Sequence, residues 1–118
     1  MRIQRFVLGA SLAFWVACLA AQPYPSRQVR IIQPLGVGSP GDLISRAIAQ
    51  SLSQTLGQAF VVENKGGGGG SVAADFVAKS PANGYTLLVT NDQLTVGASF
   101  AGASNYDVMK DFAPIGLI

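Results

Sequence analysis

Gly36-Val37-Gly38-Ser39-Pro40-Gly41 is a GxGxxG run between a strand-like and a helix-like segment, and Glu63 ends the next strand-like segment. In a dinucleotide site that arrangement sets backbone amides against a pyrophosphate and an acid against a ribose hydroxyl. Pro40 has no N–H and so removes one amide at the helix entrance, which argues against a pyrophosphate. The underlying physics is broader than one ligand: free amides and the positive end of a helix dipole favour any anion, a carboxylate included. Gly38, Ser39, Gly41 and Asp42 are the candidate ligand-binding residues of this loop. A tight turn with an ordinary helix cap is the alternative for the same residues.

The second glycine run, Gly66 to Gly70, is not followed by Lys-Ser or Lys-Thr and is not a Walker loop. It reads as a flexible connection, or as further amides closing on the same cleft. Asn91, Asp92, Gln93 and Thr95 follow a third strand-like segment and can hydrogen-bond a polar ligand, surface solvation being the alternative. In a doubly wound sheet, loops after successive strands meet at the carboxyl edge, which brings these candidates together.

Other chemistries are excluded by what the chain lacks. It has no histidine and one cysteine, so it cannot build a Ser-His or Cys-His nucleophile pair, a thiolate zinc cluster or an internal disulfide. No catalytic residue, metal site or cofactor is expected. Eight Lys and Arg stand against six Asp and Glu in 118 residues, a formal charge of +2. Arg27, Arg30, Arg46, Lys65, Lys79 and Lys110 are scattered singly, leaving no basic patch for a phosphate backbone, so nucleic acid is not an expected partner.

The elements that would position the candidates alternate. Arg27 to Pro34 reads as a first strand. Leu43, Ile44, Ala47, Ile48, Leu52 and Leu56 recur at helical spacing over Asp42 to Leu56, and Gly57 stops the helix. Ser39 is its cap, Pro40 its first residue, and Asp42 takes the capping-box position usually held by glutamate. Ala59 to Glu63 is a second strand, and Ser71 caps a helix running to about Lys79. Pro81-Ala82-Asn83-Gly84 makes a turn, and Tyr85 to Thr90 forms a third strand. A polar, small-residue stretch occupies Asn91 to Asn105, and the apolar run Ala113 to Ile118 reads as a fourth strand. Strand and helix in alternation predict an α/β fold with a parallel sheet and flanking crossover helices.

Residues 1–21 carry Arg2 and Arg5 before an uncharged apolar run with small residues at its end, the order of a secretory signal peptide. The run is shorter than a bilayer span, and Gln-Pro-Tyr-Pro follows it. Cleavage near Ala20 or Ala21 leaves a formally neutral chain without cysteine, suited to an oxidising periplasm. Lipid anchoring through Cys18 is the alternative, set back by Trp15 where a lipobox carries leucine.

Tyr24-Pro25-Ser26-Arg27, VRIIQP with its glycine loop ending in Asp42, VVENKGGGGGSVAADFVAKSPANGYTLLV and YDVMKDFAPIGLI together resemble the Bug family, the TctC-like receptors of tripartite tricarboxylate transporters. The resemblance covers residues 22–118 in order and spacing. It implies a type II periplasmic-binding-protein-like fold, of which residues 22–118 form the opening part of the first domain, the second domain lying beyond. It also implies a periplasmic, non-enzymatic receptor that captures a small carboxylate and hands it to the membrane components of a tripartite tricarboxylate transporter. In such a receptor Gly38, Ser39, Gly41 and Asp42 would meet the ligand carboxylate, with Asn91 to Thr95 adding contacts. The chain departs from the family pattern at Leu35, Ser39 and Gly41, and at Leu94-Thr95 where the family has Thr-His. Family members are much longer, so a truncated receptor is the expectation; a non-binding fragment and a dinucleotide-binding enzyme domain are the alternatives.

Overall fold

The computed structural model describes residues 23–100 and 105–118, and the segment read as an export signal, with Cys18, lies outside them. Three parallel strands form one sheet: β1 (Val29–Gln33), β2 (Phe60–Asn64) and β3 (Thr86–Leu88), in the order β2-β1-β3. Val29 stands opposite Phe60, and Arg30 opposite both Val61 and Thr86, so β1 is the central strand. The expected α/β class and parallel sheet are therefore present.

Helix α1 (Pro40–Leu56) links β1 to β2. Its start follows the capping logic of the sequence: Ser39 Oγ accepts from the Asp42 amide at 3.2 Å, and Pro40 occupies the first turn. The reciprocal half differs from a standard capping box. The Asp42 carboxylate reaches past the cap and accepts from the Gly38 amide at 2.9 Å, while the Ser39 amide turns to the Gly36 carbonyl. The helix ends at Gly57, whose φ of 70° is the left-handed conformation that glycine adopts without steric cost.

The core follows from the period of two along β1. Val29 and Ile31 pack with Ala49 and Phe60, with Leu52, Val62, Leu87 and Val89 at the margin. Leu43, Ile44 and Leu56 belong to the predicted apolar stripe but remain exposed. Helix α2 (Ser71–Ala78) lies against β3 and β1, and Ala73 and Ala74 are small enough to be fully buried there. The preceding Gly68–Gly70 forms a 3-10 turn, entered through Gly67 at φ 126°. Such a backbone is closed to most side chains, and the run is a shaped turn in which glycine is required.

Two of the sequence motifs hold the strands from outside. Tyr24 donates to the Gly84 carbonyl, the Ser26 amide donates to Tyr85 Oη at 2.9 Å, and the Arg27 guanidinium lies 4.2 Å from the Tyr85 ring centre. The Tyr-Pro-Ser-Arg and Asn-Gly-Tyr segments are thus one clasp between the start of the described chain and the entry to β3.

Two expectations fail: Ser71 is the first residue of α2 and not its cap, which is Gly70 without a side-chain hydrogen bond, and the final apolar run is not a strand. The polar, small-residue stretch after Asn91 contains helix α3 (Gln93–Phe100), started by Asn91 Oδ1, which accepts from the Gln93 amide at 3.2 Å. Its small and polar side chains concealed an Asx turn that opens a helix. Conversely, Ala113 to Ile118 is not a strand. Ile115, Leu117 and Ile118 are 84%, 106% and 83% exposed, and no strand pairs with them among the described residues. An apolar run makes a strand only where a sheet edge is placed to receive it.

Candidate functional site

With β1 in the centre, the chain leaves it to one side for β2 and later crosses to the other side for β3. The connections after β1 and β3 therefore diverge at the carboxyl edge, which opens a crevice where ligands bind in open α/β sheets. A cleft of about 460 Å³ lies there. The end of β1 and the following turn give Gln33, Pro34 and Leu35; the first turn of α1 gives Pro40, Gly41 and Ile44; the exit of β3 gives Val89, Thr90 and Asn91, and Ile118 closes the rim. No charged side chain is among these.

Of the candidates in the first loop, Gly41 lines the cleft, and its amide has no hydrogen-bond partner among the described residues. Gly38 and Ser39 lie just outside, with both amides engaged inside the loop and Ser39 Oγ used as the cap. Asp42 turns inward. Its carboxylate is 1% exposed, accepting from Gly38, from Arg46 Nε at 3.0 Å and from Asn64 Nδ2 at 2.9 Å. The Arg46 guanidinium, then the Gly38 amide and Asn64, hold its pKa down at about 2 against an ordinary 3.8. Asp42 is thus an anion already satisfied by the protein, and it fixes the loop whose neighbour Gly41 faces the cleft.

Among the candidates after β3, Asn91 lines the cleft while its side chain starts α3; Asp92, just before that helix, and Gln93 and Thr95 on it are exposed and do not line the cleft. Glu63, the acid of the dinucleotide reading, is occupied: Arg30 Nε and Nη2 donate to its two oxygens at 2.6 and 2.7 Å across the β1–β2 pair. That ion pair lowers its pKa and commits both carboxylate oxygens to Arg30. The glycine run contributes its turn to the same edge of the sheet without lining the cleft.

The sequence reading passed over Gln33. Val29, Ile31 and Gln33 share one face of β1 by alternation, so a polar residue ends an otherwise apolar inward row. That break in pattern is the signal that would have found it. Gln33 is 2% exposed. Its Oε1 accepts from the Leu35 amide at 3.3 Å, and its Nε2 lies beneath Gly41, close enough that a Cβ on residue 41 would collide with it.

Known proteins share this chain's sequence and its strand arrangement. The profile described as tripartite tricarboxylate transporter family receptor, TctC, matches residues 44–118. A UPF0065 protein from the TAR-I ttuE-ttuC' intergenic region of Agrobacterium vitis is 42% identical over 95% of this chain and 32% of its own length. Protein BugT of Bordetella pertussis is 36% identical over 96% of this chain and 34% of its own. The chain thus spans about a third of the length of the curated relatives it matches. A solved periplasmic transporter superposes with a TM-score of 0.69 at 39% identity, covering 74% of this chain and 30% of that one. R. palustris Rpa4515 with adipate gives 0.56 at 43% identity, covering 57% and 22%. MatC from Rhodopseudomonas palustris with bound malate gives 0.53 at 38%, covering 55% and 22%. Sequence, profile and strand arrangement agree, and the chain belongs to the TctC family of tripartite tricarboxylate transporter receptors, the family of the Bug proteins.

Proposed function

We propose that this chain supplies one wall of an exported receptor that captures a small carboxylate for a tripartite tricarboxylate transporter. The observation that carries the reading is the unpaired Gly41 amide at the start of α1, opening on an uncharged cleft at the point where the strand order reverses. A carboxylate there meets a free donor and the positive end of a helix seventeen residues long. The adipate and malate held by two structural neighbours are anions of this kind. The periplasm is the proposed location, reached through residues 1–21 as an export signal, and the transporter's membrane components are the proposed partners. Among the described residues no helix is long and apolar enough to cross a membrane.

One helix terminus contributes on the order of 0.3–2 kcal/mol to an anion, against about 4 kcal/mol for millimolar binding. The chain alone is therefore a weak binder, and micromolar affinity needs a second lobe closing over the ligand. The test is an amide NMR titration of the isotope-labelled protein with adipate and with malate, carried from roughly 1 to roughly 100 millimolar because the expected binding is weak. Saturable shifts at Gly41 and Asn91 are expected. Shifts spread evenly over the surface, or none, would remove the reading.

A further inference from the structure

We infer that Gln33 is a ligand-orienting and specificity-determining residue: its side-chain NH2 is a neutral donor on the cleft floor, placed to bind an oxygen of the carboxylate held at Gly41. The inference rests on the carboxylate reading above and adds a side-chain contact to it.

A side-chain amide in a protein interior normally satisfies both of its ends, because each group left unmade costs about 1–3 kcal/mol. Gln33 satisfies one end. The Leu35 amide donates to Oε1, which fixes which end of the amide is oxygen, since an N–H facing the NH2 group would be a donor against a donor. Nε2 is left at the cleft wall with no hydrogen-bond partner among the described residues, on a residue only 2% exposed. Ile31 and Val29 continue the same row as core residues, so an apolar side chain at position 33 would fit the strand equally well. Nε2 is not sealed in the interior but opens on the cleft, so a donor without a protein partner is placed there to be completed by a ligand oxygen.

Gly41 makes the arrangement possible. A side chain there would strike Nε2 and cover it, whereas glycine leaves both its own amide and the Gln33 amide open to the same cleft. The two donors come from different elements, the end of β1 and the first turn of α1, and both residues line the same cleft. Both are neutral, and the remaining lining is mostly apolar: Pro34, Leu35, Ile44 and Val89. The ligand's carboxylate is thus read by geometry, with no counter-charge that would accept any anion.

The side-chain NH2 pair of Gln33 gives its own signals in the NMR titration, separate from the backbone amides. With adipate as probe, those signals shift with the same saturation as Gly41, and Gln33→Met, which keeps the shape and removes the donors, weakens adipate about tenfold or more. Shifts at Gly41 and Asn91 with the Gln33 NH2 signals unmoved would overturn this inference and leave the carboxylate reading standing. Absence of shifts at all three would overturn both. Because the NH2 signals are read in the unaltered protein, the outcome does not depend on whether the Met variant folds.

Discussion

Asn64 Nδ2 donates to the Asp42 carboxylate at 2.9 Å and to the Leu35 carbonyl at 2.9 Å, so the last residue of β2 holds both ends of the loop that follows β1. Its Oδ1 also accepts from Arg46. Asn64→Ala leaves the inward-turned Asp42 and the Leu35 carbonyl each short of a donor, and a loss of about 1–3 kcal/mol is expected. Urea denaturation measures it. A change within error would mean that the Arg46 and Gly38 bonds to Asp42 suffice.

Ser39 is read as a cap rather than a ligand contact. Ser39→Ala should cost about 0.5–2 kcal/mol of stability, and Ser39→Asp, which can accept the same amide, should recover most of it. If Ser39→Asn, a cap without charge, abolishes the Gly41 shift with adipate while remaining as stable as the parent, the hydroxyl belongs to the site.

The acid limb of stability is set by carboxylates that folding makes more acidic. The Asp42 pKa falls from 3.8 to about 2 on folding, so the unfolded chain takes up protons first, and this contribution is complete above roughly pH 4 and is lost as the pH drops toward 2. Glu63, lowered by Arg30, acts in the same sense. Denaturant midpoints should fall through this window, and Asp42→Asn should flatten the fall while lowering stability at neutral pH. A midpoint independent of pH in the parent protein would contradict the assigned bonds.

Gly41 and Gln33 should behave as one unit. Gly41→Ala forces a methyl group onto Nε2, and overpacking of this kind costs about 1–3 kcal/mol. Adding Gln33→Val removes the obstacle, so the double variant should be more stable than the sum of the single effects. Strict additivity in thermal or urea unfolding would show that the loop moves aside instead.

The lining predicts a preference among acids. Leu35, Ile44, Val89 and the two prolines give apolar walls, and each methylene buried against them adds about 0.8 kcal/mol at most. Adipate should therefore displace malate at equal concentration in the titration. Equal or reversed occupancy would place the ligand's chain outside the cleft.

Much of this was legible in the sequence because it is local. Ser39-Pro40 and Asp42 announce the start of α1 whatever surrounds them, and the β-branched runs of β1 and β2 carry their own period. What was not legible depends on partners distant in sequence. Ala113 to Ile118 has strand composition but meets no sheet edge among the described residues, and α3 hides in small polar residues behind the Asn91 turn. Glu63 looked like a free acid until Arg30 arrived from the neighbouring strand. Gln33, which lines the cleft from a buried position, belongs to no motif, and only its place in an apolar row sets it apart.

β1 finds neither of its neighbours before Phe60, and its second only at Thr86. Among the described residues no hairpin starts this sheet, since each pairing there is parallel and must close a long loop before any ladder forms. Folding of such a topology is slow, and during synthesis the emerging chain holds its central strand unpaired until two later strands have followed it out. Until then the sheet is absent, which keeps the chain in the unfolded form that the proposed export requires.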